Sequence, residues 1–187
     1  TEGTEQREHI AYDEWCTAES LVPPQGLRER WLRAIHFPPT SDPDAQLEEL
    51  GPGEVDEGVR EEVDKDVARA MWWWSTSEDD ALAKQRALRR VLLHALRGHA
   101  TWYFQGMHDV ASVLLLALGE TGAAAALAHL ATHQLRRWVA PGLAPVVDVI
   151  GSVFPLVRRA DPALFRALDR SGVLPLFCVG WVLTWFT

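Results

Sequence analysis

Asp66 and Arg69 stand three residues apart in the stretch Val63-Asp64-Lys65-Asp66-Val67-Ala68-Arg69. On a helical turn that spacing sets a carboxylate beside a guanidinium. By spacing alone the pair reads as a surface ion pair, which contributes little to stability. Met71-Trp72-Trp73-Trp74 follows at once. Each helical step turns the chain by about 100°, so three consecutive tryptophans cannot all face one core. At least one is expected near the surface, where a partner can use it.

A second constellation is Trp102-Tyr103-Phe104-Gln105-Gly106-Met107-His108-Asp109. It sets an amide between aromatics and a glycine, just ahead of a helical pattern. Gly106 would admit the close approach of another molecule's backbone. Asp109 is placed to cap the following helix. The residues alone leave two readings open, a functional amide or a helix-helix corner with a capping aspartate.

A third is the apolar, uncharged run Val173 to Phe186, with Trp181 and Trp185 on one face. A spanning helix needs about 20 such residues, so this run is expected to form a buried core helix. His129 and His133 lie four apart on another helical stretch. The zinc-protease pattern needs a glutamate beside the first histidine, where Leu130 stands, and no third ligand is evident. No metal site is expected.

The elements that must hold these residues are helices. Leu27, Trp31 and Ile35 form one apolar stripe, which Pro38-Pro39 stops. Residues 38–56 read as an acidic loop, and residues 1–25 as a polar lead-in segment. Ser77 with Asp80 fits a helix start, followed at three- and four-residue steps by Leu82, Gln85, Leu88, Leu92, Ala95, Leu96 and His99. Val110 to Leu118 is a helix closed by Gly119, and Ala123 to Val139 an Ala-rich one that Pro141-Gly142 breaks. Leu143 to Arg158 and Pro162 to Arg170 follow, the latter with Asp161 as N-cap and Pro162 at its first position. No stretch shows a period of two, so the fold class is all-α with short connections.

The totals agree. The 187 residues suit one domain, with 48% apolar and 24% charged residues in a globular balance. The formal net charge of -8 disfavours nucleic acid and an anionic membrane surface, both of which reward clustered Lys and Arg, and no direct membrane insertion by this segment is expected. Cys16 and Cys178 are the only cysteines, which fits a reducing, cytosolic compartment better than a disulfide framework. The N-terminus has neither the apolar core of a signal peptide nor transit-peptide character.

The three constellations, in this order, resemble the TBC domain, the family of GTPase-activating proteins for Rab GTPases. Its first motif, Ile-x-x-Asp-x-x-Arg, is matched by Val63, Asp66 and Arg69. Its second, Tyr-x-Gln running on to Gly-Met and Asp, is matched by Tyr103, Gln105, Gly106, Met107 and Asp109. Its third, a Trp-containing helix, is matched by Trp181, Val182, Leu183, Thr184 and Phe186. Arg28 to Trp31 is similar to the family's opening Arg-x-x-x-Trp, one residue tighter. Within the family, Tyr-x-Gln-Gly-x-His-Asp, Ala131 to Arg136 and the Trp-x-x-Thr-Trp-Phe-like end resemble the member 20 branch, which acts on Rab1-class GTPases.

The resemblance covers roughly residues 26–187 and implies an all-α TBC domain there. Family domains continue past the third motif, so the chain reads as an N-terminal portion. The resemblance further implies that Arg69 and Gln105 are the catalytic pair, supplied in trans to a GTP-bound Rab. Asp66, Tyr103, Gly106 and Asp109 would support them. Trp72, Trp73 and Trp74 are a local addition and candidate partner contacts. The activator would need no cofactor of its own, since GTP and Mg²⁺ are bound by the GTPase. Its expected location is cytosolic, with the ER/Golgi membrane surface reached through parts outside this chain. The alternative is a Rab-binding module that is catalytically silent.

Overall fold

The computed structural model describes residues 26–38, 54–97, 103–136 and 144–184. The lead-in over residues 1–25, Cys16, His99, Trp102, Trp185 and Phe186 lie outside the described residues. Among those described, every regular element is helical. The α-helices are α1 (Leu27–Ala34), α2 (Glu57–Arg69), α3 (Glu78–Ala95), α4 (Met107–Thr132), α5 (Ala144–Ile150), α6 (Val153–Ala160), α7 (Pro162–Ser171) and α8 (Val179–Leu183). Short 3-10 turns cover Trp72–Trp74 and Pro175–Cys178.

α4 is the central element, and α1, α2 and α3 pack against it. It is apolar around most of its circumference, which requires burial on every side. Leu114, Leu115, Leu118, Leu127 and Leu130 are each at most 1% exposed. Each such side chain contributes about 1.5–3 kcal/mol on leaving water. α4 is also the described helix long and apolar enough to cross a membrane, but 78% of its most apolar window is inside the domain. Gly119 kinks it at φ 73°, ψ 177°, so the helix expected to close there does break, and a second helical piece follows directly. The Ala-rich piece ends at Thr132 and not at Val139. There the chain leaves the helix to bury Leu135 completely, and the Gln134 amide donates to the Ile35 carbonyl at the end of α1 at 2.7 Å.

Caps fix where α2, α3 and α7 start. The Asp56 carboxylate accepts from the Gly58 and Val59 amides, Ser77 Oγ accepts from the Asp80 amide, and Asp161 accepts from Ala163 and Leu164. Each cap satisfies helix-start donors that have no intrahelical partner. On α3, Gln85, Leu88 and Leu92 face inward as expected, whereas Leu82 is 39% exposed.

The helix expected over Leu143 to Arg158 is two helices broken at Gly151-Ser152. Pro155 explains the break. It has no N–H to give the Gly151 carbonyl, and its ring clashes with that group inside a helix. It is accommodated in the first turn of α6, where the N–H would be unpaired anyway.

The run from Val173 also departs from expectation. Pro175 forces Leu174 into extended backbone at ψ 149°, so the segment folds as a 3-10 turn and the five-residue α8. It is not a buried helix: Leu174 is 67% exposed, Leu176 56% and Trp181 50%, while Cys178 is buried. Burial pushes the Cys178 thiol up from its ordinary value, which leaves it a poor nucleophile.

Candidate functional site

α2 ends on Arg69 because its last carbonyls find partners outside the helix. The buried Gln85 amide, from α3, donates to the Ala68 and Ala70 carbonyls at 3.3 and 2.9 Å. The Trp72 indole N–H also reaches Ala68 O, at 3.3 Å. The chain then reverses through Met71 at φ 69°. A residue with a Cβ in that region costs about 1–2 kcal/mol, which the burial of Met71 to 3% exposure offsets. The reversal sends the tryptophans outward. Trp73 is 92% exposed, Trp72 is 47% exposed and Trp74 is partly buried, so one core does not take all three.

The carboxylate of Asp66 joins the first two constellations. Its side chain is 8% exposed. Oδ1 accepts from Arg69 Nη2. Oδ2 accepts from the Tyr103 hydroxyl at 2.6 Å and lies 3.2 Å from His108 Nδ1. Burial, and then the bond to Asp66, push the Tyr103 phenol far up, so it stays protonated and donates. A buried carboxylate is tolerated only when paired in this way. The Arg69 side chain is 58% exposed: anchored at one nitrogen, it leaves most of its fork to solvent.

Gln105 is exposed on the turn between Tyr103 and α4. Gly106 shapes that turn at φ 104°, and a Cβ there would meet Thr184 Cγ2 at 3.0 Å. The space a Cβ would need at Gly106 is therefore taken by Thr184, in this chain's own third constellation. Gly106→Ala is expected to cost at least about 1–2 kcal/mol from the backbone alone, read as a lower midpoint of thermal unfolding. Asp109 does not cap α4. Gly106 holds the N-cap place and no side chain caps there. Asp109 stands one turn in, where a carboxylate still favours the helix N-terminus, and its Oδ1 lies 3.4 Å from His108 Nε2.

Arg69, Ala70, Met71, Trp73, Trp74, His108, Asp109, Ser112 and Val113 line a half-open cleft of about 250 Å³. Arg69, Trp73, Trp74 and Asp109 thus meet at one place, with Asp66 and Tyr103 supporting it from below. Gln105 and Trp72 are not in that lining. Among the described residues no group of three or more His, Cys, Asp or Glu is arranged to hold a metal. His129 and His133 stack on each other at 4.2 Å between ring centroids.

The motif reading missed His108 and Gln85. His108 stood inside the quoted motif, and its signal was an imidazole beside an aspartate at a helix start. Gln85 read as one step in an apolar stripe, and nothing local marks it as the group that closes the end of α2.

The family model for the Rab-GTPase-TBC domain matches residues 45–187; α1, which packs on α4, precedes the match. "GTPase-activating protein gyp10" of Schizosaccharomyces pombe is 31% identical over 107 residues, 56% of this chain and 29% of that protein. "TBC1 domain family member 20" is 30% identical in Bos taurus and 29% in Homo sapiens, each over 96 residues, 51% of this chain and 24% of the relative. The matched part thus spans under a third of these relatives' length. With the family match extending over most of its length, an all-helical fold and both motifs meeting at Asp66, the chain belongs to the Rab-GTPase-TBC domain family.

Proposed function

We propose that this domain accelerates GTP hydrolysis by a Rab-family GTPase, to which it supplies Arg69 and Gln105. The observation that carries the reading is the Asp66 carboxylate, which binds Arg69 from one motif and Tyr103 from the other. It fixes the arginine helix against the glutamine turn while leaving both side chains exposed to a partner. The names of the matched relatives, gyp10 and TBC member 20, support the same direction.

The chemistry suits these two groups. Phosphoryl transfer spreads negative charge over the transferred group and needs an aligned water. The planar guanidinium of Arg69 can bridge phosphate oxygens. An amide donates and accepts at once, so Gln105 can orient the attacking water. GTP and Mg²⁺ arrive with the GTPase, and the activator carries no cofactor. The partner we favour is a GTP-bound Rab1-like protein, and the place of action the cytosolic face of ER/Golgi membranes. The test is stimulated phosphate release across a panel of GTP-loaded Rabs. Stimulation of none of them would overturn the reading, and binding without stimulation would favour a silent binding module.

Trp73 is the proposed partner anchor, since an indole 92% exposed beside Arg69 gains most from burial in an interface. Trp73→Ala is expected to raise KM for the GTPase about thirtyfold, equivalent to about 2 kcal/mol. Its kcat should hold, and its thermal midpoint should not move. Titration of initial rates against GTPase concentration separates the two parameters.

A further inference from the structure

α3 lays out a row of donors along the stretch that carries Arg69. Arg89 holds Asp64 with two prongs, Nε to Oδ1 at 2.5 Å and Nη2 to Oδ2 at 3.1 Å. One turn earlier, Gln85 donates to the Ala68 and Ala70 carbonyls. Lys84, beside it, donates to the Trp74 carbonyl at 2.5 Å. As α2 advances from Asp64 to Ala68, its partner on α3 steps back from Arg89 to Gln85, so the two helices run in opposite directions and are held in register.

Gln85 stands apart in this row. The Asp64–Arg89 pair is exposed, and such pairs contribute little. Gln85 is 7% exposed. Its Nε2 bridges the carbonyls on either side of Arg69, at 3.3 Å to Ala68 and 2.9 Å to Ala70. The arginine's own ion pair cannot replace that bridge. Asp66 lies on the same helix, three residues back, so the pair orients the guanidinium relative to α2 and moves with α2. The bond from Tyr103 to Asp66 ties α2 down before its last turn. The last turn itself is where helices lack partners for their carbonyls and where they fray. A glycine just past the end is the common remedy. Here Ala70 has extended backbone at φ -86°, ψ 169°, and Met71 takes the left-handed conformation. With no glycine at this end, a side chain from another helix closes it.

We propose that Gln85 is a positioning residue for Arg69: its buried amide keeps the last turn of α2 from fraying and so fixes the point from which the guanidinium reaches a partner. The kinetic consequence rests on the activator reading, whereas the pin at the helix end does not. Lys84 holds the far side of the reversal, at Trp74, next to the Trp73 anchor. Neighbouring residues on α3 thus divide the work, Gln85 on the reacting arginine and Lys84 on the docking turn. Loss of Gln85 should therefore show in kcat and spare KM.

Gln85→Met keeps the length of the side chain and removes both donors. Gln85→Asn keeps the amide but holds it one carbon short. Leu127→Ala is the control: Leu127 is fully buried in the second piece of α4, so its truncation lowers stability and removes none of the bonds at the end of α2. Initial rates of stimulated hydrolysis are titrated against GTPase concentration at a temperature where all four proteins are folded. In both Gln85 variants kcat should fall by about 10- to 100-fold, the scale of a misplaced reacting group, while KM for the GTPase holds. Leu127→Ala should keep its kcat. An unchanged kcat in a folded Gln85 variant, or an equal loss in Leu127→Ala, would overturn the positioning role.

Amide hydrogen exchange on the full protein supplies a readout that needs no GTPase. The Ala70 amide donates to the Val67 carbonyl at 3.0 Å. Its exchange should quicken in Gln85→Met by more than that of the buried amides of α4. An equal change throughout, or none at Ala70, removes the pin whatever the hydrolysis assay shows. Faster exchange at Ala70 in a protein that stimulates no GTPase would instead uphold the pin and sink the activator reading.

Discussion

Arg69→Ala is expected to lower stimulated GTP hydrolysis by about 10³- to 10⁵-fold, which corresponds to about 4–7 kcal/mol of barrier. The fold should survive, because the Arg69 side chain is 58% exposed and its ion pair is with Asp66. That contact sets the design of the control. Removing the guanidinium leaves Asp66 Oδ1 without its donor, while Oδ2 keeps Tyr103 and sits against His108, so the thermal midpoint should fall by little. Arg69→Lys separates charge from shape. It keeps the cation and loses the fork, and it should recover only a small part of the rate. Gln105→Ala should also come close to abolishing stimulation, with no stability cost, since Gln105 is exposed. Single-turnover phosphate release at saturating activator isolates the chemical step from binding. Near-wild-type rates in Arg69→Ala would refute the mechanism.

Much of this site was legible because it depends on local spacing. Asp66 and Arg69 meet because three residues make most of a helical turn, and that arithmetic needs no fold. The order of the motifs added Tyr103 and Gln105. Several features were not legible, and they share a cause: contact between segments distant in sequence. The hydroxyl of Tyr103 reaches Asp66 across 37 residues. A Cβ at Gly106 would meet Thr184, a contact that no local pattern around the glycine shows. Asp109 reads as a cap by residue type, yet the helix begins two residues earlier at Met107, because Gly106 can adopt the left-handed backbone there. The fold divides the same way. Caps at Ser77 and Asp161 and the all-helical class follow from local rules. The failure of the Val173 run to form a buried helix follows from Pro175, a local signal that its apolar composition outweighed.

Lys84→Met is expected to destabilise the domain by about 3–5 kcal/mol, the cost of removing one partner from a buried ion pair. Lys84 is 1% exposed. Its ammonium donates to the Trp74 carbonyl at 2.5 Å and to Asp80 Oδ2 at 2.9 Å. Methionine fills similar volume, so the loss reports the contacts and not a cavity. For a chain of this length the change corresponds to a fall of about 6–20 °C in the thermal midpoint. The pH dependence carries a definite sign. Burial pushes the Asp80 carboxyl up, but the bonds from Lys84 and Thr76 outweigh it and hold the group below its ordinary value. A depressed carboxyl stabilises the fold above its unfolded value of about 4, and that contribution is lost as pH falls through the folded value. Without Lys84 burial acts against fewer opposing bonds, so the gap between wild type and Lys84→Met should narrow below about pH 4. Adding Asp80→Asn should recover part of the loss at neutral pH, because no buried charge is then left unpaired. The double variant still leaves the Trp74 carbonyl without its donor, at the end of the turn that presents Trp73. It should therefore regain stability without regaining a wild-type KM for the GTPase. Full recovery of KM in the double variant would mean that the turn holds its shape without Lys84, and that its role is confined to stability.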